Sequence, residues 1–407
     1  MAHSSFVGVL VPVVIALTLA AAQAARPSWM PVAPPLPVKG RVVNVSTVPE
    51  LRAALDGARD GDTIAVADGT YQLDRFLTLT GRNRVTLRGA SGDASKVVLR
   101  GLGWDSNTDR DDILRVQACT NVTVSYLTFT DCHAYGLKLE QLPSEGRQLR
   151  NVNIYACSFS NCGTRAVKGT GGGGGFVDGG SVRYCNFENT KVPPPTWYLE
   201  GDYITAIDCM RLKDWTIADC FFKDIRGAHG GGRGAIFVWV ESQNVTSERN
   251  VFVGCDRAVA YGNPSGSTEG PAKPHNTGGV IRNNFIVVGK DTGVEICWAK
   301  GVRVYHNTIL AREDGLAIHY HWSELRDIEI ANNLVRGRIV GDAPGVALRD
   351  NVTSGIEDAW FRNVGGGDLH LTAAGKAGVG LVSRVAGAEV DFDGRKRPAK
   401  TRAGADE

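Results

Sequence analysis

The stretch 279–337, GVIRNNFIVVGKDTGVEICWAKGVRVYHNTILAREDGLAIHYHWSELRDIEIANNLVRG, repeats one short pattern three times. In GVIRNNF, VRVYHNTI and IEIANNLV an alternating apolar run reaches Asn283, Asn307 or Asn333. An apolar residue follows two positions later in each: Phe285, Ile309, Val335. Upstream the same column continues through Asn250, Cys220, Cys185 and Cys157, and downstream it ends at Asn351. Its steps are 28, 35, 30, 33, 24, 26 and 18 residues. Alternation of period two marks a strand, and one such strand per step means that the chain returns to the same place and stacks a new coil on the last. The expected fold is therefore all-β: a single-stranded parallel β-helix with an inward ladder that changes from Cys to Asn. An inward Asn can bond to the Asn and backbone of neighbouring coils, which satisfies a polar group otherwise costly to bury.

Each coil carries a second apolar run: AYGLKLEQ, RAVKGT, ITAIDCMRLKDW, GAIFVWVES, RAVAYGNP, TGVEICWAKG and LAIHYHWSE. Turning the branched aliphatics inward leaves Lys138 and Glu140, Asp208 and Met210, Phe237 and Trp239, Glu295 and Cys297, and His319 and His321 on one outer face. A register slip of one residue would invert the assignment. The Gly-rich inserts 171–180 and 227–234, with 262–279, are long connections placed to wall this face.

The chain opens with an apolar core at 6–22 and an Ala22-Gln23-Ala24 cleavage pattern, which predicts a signal peptide over 1–24, cut after Ala24, and a secreted or periplasmic protein. A Pro-rich linker is expected over 25–40, the solenoid over 41–356, and an irregular tail packing on it over 357–407. Thr47, Pro49 and Glu50 in TVPELRAALDGA predict a short helix with a capping box, closing the first coil. No later stretch is apolar enough to span a bilayer. Lys plus Arg (45) nearly balances Asp plus Glu (43), which leaves no basic footprint for nucleic acid. The nine cysteines form no zinc-type spacing and are expected mostly as buried thiols, with a Cys132–Cys162 disulfide as the alternative.

The NVxIxxNxF-type repeats, the opening DGDTIAVADGTY and the closing DFDGRKRP with GADE resemble secreted bacterial right-handed parallel β-helix proteins of the pectin-lyase-like superfamily, over about residues 40–407. That resemblance implies the right-handed fold and a carbohydrate-active protein. Members include polysaccharide lyases, glycoside hydrolases, esterases, epimerases and non-catalytic binders, so fold alone does not choose. Pectate-lyase WiDH and RxPxxR patterns are absent, and Asn107-Thr108-Asp109 with Asp111-Asp112 does not follow the order of polygalacturonases.

The expected chemistry is β-elimination from an acidic, uronic-acid-containing glycan. It needs a group that neutralises the carboxylate and a base for the C5 proton. His319, Arg211 and Lys300 are the candidate bases or carboxylate partners. Asp208 and Glu295 are candidate acid groups or metal ligands, with Ca2+ as the possible ion. Trp239, Trp298, His321, Lys168, Arg233 and His229 are candidate substrate contacts. The bland alternative makes Asp208 and Glu295 solvated partners of Arg211 and Lys300. The alternation Asp105, Asn107, Asp109, Asp111 lacks the Gly and terminal Glu of a calcium loop. A glycoside hydrolase and a non-catalytic glycan-binding solenoid remain the alternatives, and the protein is expected as a monomer.

Overall fold

The computed structural model describes residues 26–106, 111–142, 146, 148–264, 273–322 and 324–407. The expected signal peptide, positions 107–110 of the acidic alternation and much of the 262–279 insert lie outside the described residues. No described helix is long and apolar enough to cross a membrane.

The chain winds as a right-handed parallel β-helix with three strands per typical coil. Strands such as Arg150–Tyr155, Val177–Arg183 and Leu212–Ala218 stack into a first parallel sheet. Short strands that follow them, Ser158–Cys162, Asn186–Glu188 and Phe221–Lys223, stack into a second face. Arg165–Thr170, Thr205–Met210 and Gly234–Trp239 form the third. Helix Val48–Asp56 packs over the first coil. The Thr47 hydroxyl accepts from Glu50 N, Glu50 accepts from Ser46 N at 2.8 Å, and Leu51 and Leu55 are buried.

Between the first two strands the chain turns through one left-handed residue: Tyr126, Ala156, Tyr184, Asp219, Arg249, Asn283, His306, Asn332 and Asp350, at φ 48–58°. The next residue enters the core. This corrects the column at one rung: Asn283 is the turn residue and Asn284 is the inward one. The inner apolar position there is Ile286, while Phe285 faces outward. Asn tolerates the left-handed region and also suits the ladder, so the doublet was ambiguous.

Asn250 Oδ1 accepts from Cys220 N at 3.0 Å, and Asn284, Asn307, Asn333 and Asn351 repeat the contact from the preceding Asn at 2.9–3.1 Å. Each Nδ2 also donates to a carbonyl one coil back: Ile217, Ser247, Ile281, Val304 and Ile330. The thiols of Cys157, Cys185 and Cys220 reach the equivalent carbonyls of Val124, Ile154 and Val182 at 3.5–3.7 Å. Cys and Asn are thus two solutions to one requirement, the buried carbonyl at the corner. Beside this column Phe129, Phe159, Phe187, Phe222 and Phe252 stack with centroids 4.8 Å apart, one rung each. All nine cysteines are buried free thiols, including the register neighbours Cys132 and Cys162.

The Pro-rich stretch, expected as a linker, lies instead along the first sheet as a strap. Pro34 O accepts from Tyr155 Oη, Leu36 N donates to Tyr126 Oη, and Arg26 donates to Asp219 O. Residues 357–407 contribute Phe361, Leu369, Leu371 and Phe392 to a second apolar cluster. They cover outward side chains of the second face: Phe221, Val251, Phe285, Leu310 and Leu334. Phe285 and Phe392 stack at 4.1 Å.

This covering buries His306. Its Nδ1 donates to Gly404 O at 3.2 Å and its Nε2 accepts from Asn332 Nδ2 at 3.0 Å. Burial, with the Arg397 charge nearby, pushes its pKa down to about 3. The native ring therefore stays neutral while an unfolded chain takes up a proton below about pH 6.5. Stability is lost as pH falls from there, by about 2 kcal/mol between pH 7 and pH 5 from this residue. His370 acts in the opposite sense: burial lowers its pKa, but Asp393 and Asp368 outweigh that and raise it. The His306 share is read by difference, from urea denaturation of wild type and H306Q at both pH values. A slope unchanged in H306Q would contradict it.

Candidate functional site

The third face places its outward residues in register, one per coil: Arg115, Lys138, Lys168, Asp208, Phe237, Ala260, Glu295, His319. With coils about 4.8 Å apart this is a continuous strip, and it holds two charged centres.

The first centre surrounds Asp208, which is fully buried. Lys168 Nζ and Trp239 Nε1 meet Oδ1 at 3.0 and 3.1 Å, and Arg165 Nε meets Oδ2 at 3.0 Å. Burial raises the Asp208 pKa, but Lys168 and Arg165 outweigh it and hold the carboxyl ionised. Arg165 also lies over the Tyr203 ring at 4.2 Å.

The second centre surrounds Glu295, also buried. Arg257 bridges it to Asp291: Nη2 bonds Asp291, and Nη1 lies 2.8 Å from Glu295 Oε2. That second contact is a buried ion pair, so the one guanidinium serves both acids. Oε1 faces His321 Nε2 at 3.2 Å, and Cys297 Sγ faces the same nitrogen at 3.0 Å. Burial raises the Glu295 pKa, while the His321 contact and Arg257 bring it below its ordinary value. His319 stacks on His321 with centroids 4.1 Å apart. Burial, then the His321 charge, lower the His319 pKa.

The two centres use one device. Arg165 and Arg257 occupy the same strand-start position, three rungs apart, and each pairs with the strip carboxylate one coil further on. The repeated RAV of RAVKGT and RAVAYGNP was the signal that could have found them.

Register also separates residues that sequence grouped. Asp208 and Glu295 are three rungs apart, about 14 Å, so one ion cannot bridge them. Nor do they pair with Arg211 and Lys300 as the bland alternative had it: neither is solvated, and their partners are Arg165, Lys168 and Arg257. Arg211 sits at the corner after its strand, bonded to Glu241 at 2.8 Å, and is four rungs, about 19 Å, from the level of His319. Lys300 is exposed and belongs to the first sheet, beside Thr277. Trp298 packs on Trp322 at 5.9 Å, and Trp239 on His275 at 5.8 Å. Arg233 lies over the Tyr203 ring at 5.7 Å, with no carboxylate in ion-pair reach among the described residues.

The Gly-rich loop of His229 is ordered by acids rather than open to an anion. Asp202 accepts from His229 N and Gly231 N at 3.0 and 3.3 Å, and Asp256 accepts from Gly227 N and Gly232 N at 2.8 and 3.1 Å. His229 itself is exposed beside a cleft of about 560 Å³ lined by Asp202, Lys290, Asp291 and Arg312.

Calcium prefers six to eight oxygen ligands. Among the described residues, groups of three or more His, Cys, Asp or Glu donors gather only at Glu295–Cys297–His321 and at His370–Asp393–Asp406, neither of them an all-oxygen set. Asp111 is spent on Leu102 N, His133 N and Ser106 Oγ. These donor sets do not fit calcium.

No protein-family model matches the sequence, and no curated protein matches it. Among solved structures it is similar to pectate lyase Pel9A, at 12% identity and a TM-score of 0.53, over 86% of this chain and 90% of that one. An alginate lyase from Paenibacillus sp. str. FPU-7 aligns at 15% identity and a TM-score of 0.48, over 77% and 98%. The first likeness shows the fold alone, a parallel β-helix.

Proposed function

We propose that the protein is an exported polysaccharide lyase that cleaves an acidic, uronic-acid-containing glycan by β-elimination, bound lengthwise on the outer strip. The observation that carries the reading is the strip itself. It carries cations at Arg115, Lys138 and Lys168, each held by an acid (Asp112, Glu140 and Asp208), bears imidazole at His319, and has rungs about as tall as a hexuronate residue is long. A linear chain on such a surface meets one coil per sugar. The pectate lyase of similar fold agrees with this chemistry.

His319 is the base. Its imidazole takes the C5 proton, the electron pair forms the C4–C5 double bond, the glycosidic C4–O bond breaks, and the imidazolium returns the proton to the leaving oxygen. Glu295 orients the imidazole pair through His321. Lys300, on the coil next to that of His319, neutralises the carboxylate of the reacting sugar, while Arg211, four rungs away, with Lys168 and Arg233 contacts those of other sugars. Trp239 and Trp298 offer ring faces for stacking, and His321 and His229 polar contacts. Asp208 keeps Lys168 and Arg165 in place. The leader, cut after Ala24, exports a protein that acts as a monomer.

The test is a panel of uronic-acid glycans assayed for the ultraviolet-absorbing unsaturated sugar end. Product is expected from at least one, with H319A lowering the rate about 100-fold or more while the fold is retained. No such product from any glycan, with or without divalent metal, overturns the reading. One observation favours a second reading, a glycoside hydrolase. Burial raises the pKa of Asp291 while His321 and Arg257 lower that of Glu295, and both acids flank Arg257. Reducing ends without the chromophore, lost in D291N, would select it. Binding without turnover would mark a non-catalytic solenoid.

A further inference from the structure

We propose that Glu295, Cys297 and His321 form a binding site for a soft divalent cation of the zinc class, set in the outer strip beside His319. Two adjacent coils build it. Glu295 and Cys297 are successive outward positions of one strand, and His321 is the register partner of Cys297 on the next. Three donor atoms, one from each, therefore lie within 4.8 Å of one another.

As it stands, the group is poorly satisfied. His321 Nε2 faces the thiol at 3.0 Å and the carboxylate at 3.2 Å. If that nitrogen carries a proton, one N–H must serve two acceptors. If it does not, its lone pair faces a carboxylate. A cation between the three atoms removes the conflict. Tetrahedral zinc with bonds of about 2.0–2.3 Å holds its ligand atoms roughly 3.3–3.6 Å apart, so the two contacts to His321, at 3.2 and 3.0 Å, need open only by a few tenths of an ångström.

Three further observations point to a ligand here. Cys297 stands outside the central apolar cluster that holds the other eight cysteines. Its thiol is buried against a carboxylate and an imidazole instead of core hydrocarbon. Glu295, in a side chain 4% exposed, turns Oε1 toward the same His321 nitrogen that the thiol faces. The His321 ring is clamped between His319 at 4.1 Å and Trp322 at 5.5 Å, which fixes where its nitrogen points. Ligating rings need such orientation.

Ligand type selects the ion. Thiolate and imidazole favour zinc over calcium or magnesium, which take oxygen. Binding displaces the thiol proton, so affinity rises with pH. Three protein ligands leave the fourth position for a substrate atom or water, the pattern of catalytic zinc sites. That the fourth position takes the uronate carboxylate next to His319 rests on the lyase reading; the site itself does not.

The experiment uses the full chain, stripped with a chelator and titrated with Co2+ as a spectroscopic stand-in for zinc. One cobalt per chain is expected, with a near-ultraviolet thiolate-to-cobalt band that zinc bleaches and C297S lacks. H321Q and E295Q should weaken binding by more than the roughly 10–100-fold loss that a merely supporting group produces. A folded wild-type protein that takes up no cobalt at micromolar concentration overturns the site, as does a band intact in C297S. If C297S fails to fold, unchanged cobalt affinity in H321Q and E295Q does the same. A protein with the thiolate band and no product from any glycan keeps the site and loses the lyase. Product without cobalt or zinc uptake does the reverse.

Discussion

Replacing Arg397 by Met should destabilise the protein by about 3–5 kcal/mol, since several buried acceptors are orphaned at about 1–3 kcal/mol each, and should loosen residues 357–407 from the solenoid. Arg397 is fully buried where the tail crosses the second face. Its Nη2 donates to Asn283 Oδ1, Gly404 O and Ala405 O at 2.9–3.1 Å, its Nε to Val390 O at 3.2 Å, and its Nη1 to Thr401 Oγ1 at 3.3 Å. Burial lowers the guanidinium pKa to about 10, so it remains charged at neutral pH. Met fills much of the volume but gives these acceptors nothing. Guanidinium denaturation would read the loss, and limited proteolysis should then cut first within 357–407. A variant within about 1 kcal/mol of wild type, the size of one ordinary hydrogen bond, would show that the network adds little.

Asn307→Leu should cost about 4–6 kcal/mol, since several buried groups are orphaned at about 1–3 kcal/mol each. Asn284 N and Nδ2 lose their shared acceptor, and Ile281 O and Asn333 Oδ1 each lose a donor at 2.9–3.0 Å. The leucine is apolar and of similar size, so lost packing does not explain the effect. Asn307→Cys should recover part of it, because Cys157, Cys185 and Cys220 already serve the equivalent carbonyls with thiols. Thermal and urea unfolding of both variants check the order; a Leu variant as stable as the Cys variant would contradict the ladder's energetic role.

Much of the fold was legible. Repeated runs ending in Cys or Asn gave the winding, the capping box gave the first helix, and period two put Asp208, Glu295, His319 and His321 on one outer face. The Asn283–Asn284 doublet was not legible, because both positions of that corner accept Asn for different reasons, one conformational and one hydrogen-bonding. What separates them is Arg397, which lies 114 residues away and holds Asn283 on the outside. The Pro-rich stretch read as a linker because composition reports stiffness and not what Tyr126 and Tyr155 will bind.

The candidate site divides in the same way. The outward direction of Cys297 and His321 follows from alternation, so its residues could be named from sequence. Their meeting could not: it depends on two loops of unequal length returning the chain so that His321 lands opposite Cys297. Asp208 and Glu295 looked alike in sequence, yet coil count separates them by three rungs. The sequence by itself determined which side chains point in and which point out, because a strand's two-residue repeat is a local property of the backbone. Only the tertiary structure decided which outward charges neutralise one another, because those contacts cross between coils whose connecting loops obey no repeat.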